Sequence, residues 1–197
     1  TKVDKSELTI PEFTNWCDPV DHLAAVNIYV PGCPPQEGTL DLFAATIDEY
    51  YQTRSIPNGL ILASEKSLCD TCPRKLPKKV SIEKLYRVHE IKLDEKKCFL
   101  QQGVLCQGPV TRGGCNERCI RANVTCKGCM GPIPKVKDPG AKLISVIGTI
   151  LQSDSEKQLG EEGLKKIIGD MHDLTGSLYT YSIPLSYIEK IRRTRSS

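Results

Sequence analysis

The sequence predicts a loop-rich α+β chain: a strand–helix unit, then a cysteine- and glycine-dense metal-binding region, then C-terminal helices. Three observations carry this expectation. Eight of the ten cysteines fall into two sets of four between residues 69 and 129. Glycines 103, 108, 113, 114, 128 and 131 are threaded through the same stretch. On either side of it, apolar residues recur at helical spacing.

The first element is an apolar run from Val26 to Val30, alternating loosely around Asn27, which reads as a strand ending at Pro31-Gly32. Residues from Pro35 through Tyr51 then place Leu40, Phe43, Ile47 and Tyr50 at helical spacing, with a proline suited to the first turn. One strand feeding one helix cannot make a sheet. The unit therefore reads as the last piece of an α/β domain whose other strands lie outside this chain or before its present start. Cys33 occupies the strand-to-helix turn, the end of the sheet at which open α/β folds place ligands. Cys17 has no partner at metal-ligand spacing and reads as a structural thiol.

The central region comes next. Its first set holds Cys69 and Cys72 as a C-x2-C pair in "SLCDTCPRK", then Cys98 and Cys106; the second holds Cys115, Cys119, and Cys126 with Cys129 as another C-x2-C pair. Two residues between cysteines let one turn of loop aim both sulfurs at one metal centre, and four thiolates suit either zinc or an iron–sulfur cluster. A zinc-stabilised binding module is the alternative, but two features favour the bulkier cluster. The glycines let the backbone curl closely around a large object with its N–H groups turned inward. Arg112, Arg118, Arg121 and Lys127 outnumber Glu117 between residues 112 and 127, and nearby cations stabilise an anionic four-thiolate cluster and raise its potential.

The last elements are helical. After Pro139-Gly140, residues Leu143, Ile144, Ile147, Ile150 and Leu151 share one helical face. A second helix is expected from Ser155, with Gln158 completing a capping box and Leu159, Leu164, Ile167, Ile168 and Met171 buried. "GSLYTYSIPLSYIEKIRR" returns to mixed polarity, suited to a surface segment or to docking on a partner. Lys190, Arg192, Arg193 and Arg195 read as a solvated tail.

Composition and motifs remove several function classes. The 197 residues can form a packed core, and a formal charge of +3 spread over 27 basic and 24 acidic residues gives no nucleic-acid footprint. Apolar runs are too short to span a bilayer, and no charged-then-apolar signal opens the chain. Thiols clustered at short spacing in the absence of export signals point to a reducing, cytoplasmic setting and to metal ligation rather than disulfides. No Ser-His-Asp set, phosphate-binding G-x-x-x-x-G-K-[ST] loop or G-x-G-x-x-G fingerprint appears, and His22, His89 and His172 stand alone. Hydrolase, NTPase and dinucleotide-binding readings therefore have no support, and a cluster-bearing module and a zinc-stabilised one both stay open at this point.

The motifs "VPGCPP", "CDTCPR", "CFLQQGVLCQGPVTRGGC" and "TCKGCMGP", in that order over residues 26 to 132, resemble the small, electron-transferring subunit of nickel–iron hydrogenases. The likeness is closest to the cytoplasmic group that feeds heterodisulfide reductase, the deazaflavin F420 or NAD(P). It implies a flavodoxin-like N-terminal domain holding a proximal cluster and a C-terminal domain holding two more. Cys69, Cys72, Cys98 and Cys106 look like the distal set, and Cys115, Cys119, Cys126 and Cys129 like the medial set, each of a 4Fe-4S cluster. Cys33 resembles the last of four proximal ligands. The family's N-terminal C-x2-C pair and its middle proximal cysteine are absent here, so a third cluster would draw its remaining ligands from another chain or a missing segment. The resemblance divides the chain at residue 58, with a remnant of the flavodoxin-like domain over 1–58 and the two-cluster domain with its helical tail over 59–197. It also implies partners: a hydrogenase-type large subunit, a polypeptide carrying the flavodoxin-like half, and a downstream acceptor that is a heterodisulfide-reductase-linked iron–sulfur protein or a flavoprotein. A hydrogenase-derived module serving another redox complex, or a subunit whose clusters only hold the fold together, are the alternatives within this class.

Overall fold

The computed structural model describes residues 18–78, 84–152 and 171–196 continuously, together with the isolated positions 2, 3, 6, 7, 9, 13, 80, 82, 162, 165, 166 and 169. Helix predominates and sheet is sparse, in keeping with a loop-rich α+β chain. Two short strands, β1 (Lys2–Val3) and β2 (Ser6–Glu7), pair antiparallel, and a one-turn helix α1 spans Val20–Leu23.

The expected strand is present as β3 (Ile28–Tyr29), and helix α2 (Glu37–Thr53) follows it. The chain then enters β4 (Leu60–Ile61), which lies parallel to β3 with Ile28 opposite Leu60 and Tyr29 opposite Ile61. Sequence reasoning misses β4, because two apolar residues beside a glycine carry no alternation to detect. The strand–helix unit therefore continues past residue 58 into a second strand, forming a small β–α–β crossover. Side chains support it: Asn27 Nδ2 donates to Asn58 Oδ1 at 2.7 Å, and Tyr29 Oη donates to Asp21 Oδ2 at 2.7 Å.

Along α2 only Thr39 is buried. Leu40 and Tyr50 on the expected core stripe are exposed, and Phe43 and Ile47 are half-buried. Two parallel strands of two residues are too small a sheet to cover a helix of 17 residues.

The core lies further along the chain. Helix α3 (Leu68–Thr71) starts where the Ser67 N–H and hydroxyl both donate to Asp70 Oδ2, at 2.8 and 2.9 Å. Short helical turns at Leu100–Gln102 and Gly108–Val110, and helix α4 (Arg118–Arg121), bring Leu68, Phe99, Leu100, Val104, Val110 and Ile120 into one cluster. Helix α5 (Pro139–Gln152) packs on it through Leu143, Ile147 and Ile150, the face its periodicity predicts, with Ile144 half-buried against it. The side chain of Leu151, Cys17 and most of the helix expected from Ser155 lie outside the described residues; positions 162, 165, 166 and 169 are helical, and Met171 packs against the core.

The stretch of mixed polarity is more ordered and more buried than its pattern suggests. It forms α6 (Leu174–Tyr179) and α7 (Tyr187–Ser196), and Leu178, Tyr179, Ser186 and Glu189 are all buried. The node is buried Asp138, whose Oδ1 accepts the Ala141 N–H at 2.9 Å and whose Oδ2 accepts the Tyr187 N–H at 2.8 Å. Tyr179 also bonds to this carboxylate, and burial first, then Asp138, push its phenol up to about 12. Tyr179 seats against Gly140, where any β-carbon would overlap its ring, so α5 and α6 approach as closely as glycine permits. One carboxylate thus ties the starts of α5 and α7 to the end of α6 in a segment whose hydrophobic pattern is too broken to announce it.

Candidate metal centres

The first cysteine set comes together from three separate places in the chain. Cys69 and Cys72 stand at α3, Cys98 precedes the turn at Leu100, and Cys106 precedes the turn at Gly108. All four line one cavity, whose walls are Leu68, Phe99, Leu100, Pro109 and Ile120, with Arg74 at its side. Gly108 forms part of the wall, and a β-carbon there would lie 3.1 Å from Cys69 Sγ and 3.6 Å from Cys106 Sγ. Cys69 retains accessible surface, but its sulfur faces this cavity; burial, then the neighbouring Cys106, Cys98 and Cys72, push its thiol up to about 12. Burial also raises Cys98 and Cys106. Four thiolates cannot gather here uncompensated, because desolvation and mutual repulsion both oppose it. A multiply charged cation or cluster relieves both.

The second set lines a neighbouring cavity. Cys115, Cys119, Cys126 and Cys129 share it with Leu68, Ile120, Val124, Met130, Thr111, Thr125, Glu117, Lys127, Tyr181 and Cys33. Leu68 and Ile120 line both cavities and form the wall between them. The Cys126 N–H donates to Cys106 Sγ at 3.4 Å, so one backbone amide joins the two sets. Burial first, then Cys106, push the Cys126 thiol up to about 12, while Thr111 and the Gly128 N–H oppose the shift. Cys115 is raised as well, by burial and then by Cys129 and Glu117 against an opposing backbone bond.

The loops that carry the second set depend on left-handed backbone. Asn116, Glu117 and Asn123 have positive φ, as have Gly114, Gly128 and Gly131. Gly128 (φ 92°) is the clearest case, since a β-carbon would also strike Gln107 Oε1. The chain can turn here only without a side chain.

The donor chemistry fits an iron–sulfur cluster at each place. The nine described cysteines are free thiols; four of them line the first cavity and five, Cys33 included, the second, each with largely apolar walls. Four thiols about one space meet the ligand quota of a four-iron cube, in which each cysteine binds its own iron.

Charged residues whose burial the sequence does not disclose prove central. Glu117 is buried with Thr71 Oγ1 donating to Oε1 at 2.5 Å and Arg121 Nη2 donating to Oε2 at 3.4 Å. Thr71 lies between the ligands of the first set and Glu117 between those of the second, so this bond clasps the two loops. Arg74 is buried too, although the sequence points to Arg112, Arg118, Arg121 and Lys127 as the cations near the sulfurs. Of those four, Arg118, Arg121 and Lys127 are exposed, and Arg112 is buried with its Nη1 on the Ser64 carbonyl. The one signal that could have found Arg74 is its place two residues after Cys72. Cys33 is exposed on the strand-to-helix turn, at the edge of the second cavity, where the Tyr181 hydroxyl bonds to it. His22 and His89 are exposed, with His22 3.7 Å from Asp18.

No protein-family model matches the chain. It is similar to the iron–sulfur subunit of the F420-non-reducing hydrogenase of Archaeoglobus profundus, with 36% identity over 194 residues, covering 96% of this chain and 57% of that protein. The delta subunit of sulfhydrogenase 2 from Pyrococcus furiosus is 29% identical over 138 residues, covering 69% of this chain and 46% of that protein. The chain thus spans little more than half the length of the Archaeoglobus relative. The corresponding F420-non-reducing hydrogenase subunit of Methanothermus fervidus is 35% identical over 121 residues, covering 60% of this chain and 93% of that protein. On that match, the chain belongs to this family of F420-non-reducing hydrogenase subunits.

Proposed function

We propose that this chain is the electron-relaying part of a hydrogenase iron–sulfur subunit and that each cysteine set holds one 4Fe-4S cluster. Such a cluster, when bound, supplies one-electron redox chemistry. Cys69, Cys72, Cys98 and Cys106 bind the distal one, and Cys115, Cys119, Cys126 and Cys129 the medial one. Apolar residues form much of both walls, and Leu68, Ile120 and the Cys126 amide hold the two sites side by side. The observation that carries this reading is the sorting of the eight thiols of the two sets into two adjoining cavities with a shared wall, Cys33 bordering the second as a fifth thiol.

Cys33 serves a proximal cluster whose other ligands come from another chain or a missing segment carrying the flavodoxin-like half. The division into a remnant of that half and a two-cluster domain, expected at residue 58, falls after β4 rather than before it, since β4 pairs with β3 across that point. The uncovered apolar residues of α2 favour a half that lies outside this chain. A hydrogenase-type large subunit stands on the proximal side. The acceptor, a heterodisulfide-reductase-linked iron–sulfur protein or a flavoprotein, stands on the distal side. The assembly is cytoplasmic, the compartment whose reducing conditions suit clustered free thiols. No helix among the described residues is long and apolar enough to cross a membrane.

Anaerobic purification tests the proposal. The expected product is brown, bleaches with dithionite and contains about eight irons and as many acid-labile sulfides per chain, apart from any third cluster. A colourless protein carrying zinc would end it.

A further inference from the structure

We propose that Arg74 is the buried counter-charge of the first cysteine set and raises the reduction potential of the cluster held there. This inference rests on the two-cluster reading. Arg74 is only 7% exposed. Its Nη1 donates to the carbonyls of Asp94 (3.2 Å) and Lys97 (3.4 Å), and its Nη2 donates to the Ile120 carbonyl (3.3 Å) and to Asn123 Oδ1 (2.9 Å). The guanidinium stacks on Phe99, with Cζ 4.3 Å from the ring centroid.

Every one of these partners is neutral. Among the described residues no carboxylate forms an ion pair with Arg74. A guanidinium remains charged at any pH a protein survives, and a buried charge without a counter-ion is strongly destabilising. The sequence places this one two residues from Cys72, and the fold sets it in the wall of the first cavity. The anion that would compensate it is the four-thiolate cluster.

Among the described residues, no buried cation lines the second cavity, although buried Arg112 follows Thr111 of its wall. The cavity's buried charge is Glu117, whose two oxygens each accept a hydrogen bond, from Thr71 and from the largely exposed Arg121. Lys127 also borders that cavity, but it is exposed, and solvent screens its charge. A buried cation favours the more negative, reduced state of a nearby cluster, whereas a buried carboxylate disfavours it.

Potentiometric titration of the anaerobically reconstituted chain, followed by low-temperature electron paramagnetic resonance, tests this. Cys126→Ala material, lacking the second cluster, assigns the signals. Arg74→Gln is expected to move the first midpoint to more negative potential and leave the second where it is, while Arg74→Lys stays near the wild-type value. Unmoved midpoints in Arg74→Gln, or equal shifts in Arg74→Gln and Arg74→Lys, would overturn the proposal. If Arg74→Gln fails to assemble the first cluster, Arg74→Lys decides. Retained iron and a wild-type midpoint support a charge requirement, whereas loss of the same iron shows that the guanidinium fork, not its charge, is what the site needs. Wild-type protein without iron and labile sulfide would instead defeat the two-cluster reading itself.

Discussion

Gly108→Ala places a single methyl group most closely against two sulfur ligands of the first set. The added carbon would lie 3.1 Å from Cys69 Sγ, 3.6 Å from Cys106 Sγ and 3.8 Å from Leu68 Cδ2. Apolar atoms in comfortable contact stand about 3.5–4.0 Å apart, so Cys69 must retreat by about half an ångström. Gly108 does not have the positive φ of Gly103 or Gly128, so the cost is steric and not conformational. Overpacking of this kind costs about 1–3 kcal/mol. Cys69 can relieve it by swinging its sulfur out of the cavity, since α3 is held by Ser67 and Asp70 and does not yield as a whole. The first set then falls from four thiolates to three. Iron and labile sulfide, measured after anaerobic reconstitution, should drop towards the content of one cluster, with the second cluster's paramagnetic signal retained. Gly148→Ala is the matched control. Its β-carbon meets nothing within 4 Å in α5, so it should keep full iron and stabilise the chain by about 0.5–1 kcal/mol. A Gly108→Ala protein with undiminished iron and an unchanged spectrum would refute the reasoning, because it would mean that no cluster fills the space beside Cys69.

Other outcomes follow from the same geometry. Cys126→Ala should lose the iron of the second set and keep that of the first, because the amide that donates to Cys106 Sγ belongs to the backbone and survives the change; equal loss of all iron would refute the grouping. Asp138→Ala should lower stability by about 2–3 kcal/mol in thermal unfolding, through a lost helix-start bond and a stranded Tyr187 N–H, with iron content unaffected in the folded fraction. The phenol of Tyr179 is raised from 10.0 to about 12 in the folded chain, so its stabilising contribution is complete below pH 10 and disappears as pH rises towards 12. Denaturant midpoints across that interval should fall more steeply for the wild type than for Tyr179→Phe, and parallel curves would count against the bond to Asp138.

The first and last thirds of the chain show how unevenly a sequence discloses a fold. The face of α5 was legible because Leu143, Ile147 and Ile150 repeat at helical spacing and meet a core wide enough to bury them. Phe43 and Ile47 repeat just as clearly on α2, yet the described strands cannot cover them; periodicity states which face is apolar and is silent on what lies opposite. The helices at Leu174 and Tyr187 failed the same test from the other side. They are held by Asp138 and Tyr179, a polar node between positions about forty to fifty residues apart, and a hydrophobic pattern does not register such a node.

The chemistry was already written in the residues: thiols at C-x2-C spacing, in two groups, on a backbone loosened by glycine. Spacing within a few residues constrains where sulfurs can point, because a short loop has few conformations. It took the packing of the whole chain to bring Cys98 and Cys106 to Cys69 and Cys72, to set Leu68 and Ile120 between two cavities, and to make Arg74 and Glu117 the buried charges beside them. Burial and long-range proximity are properties of the packed chain, and the energy of a charge depends on them more than on its neighbours in sequence.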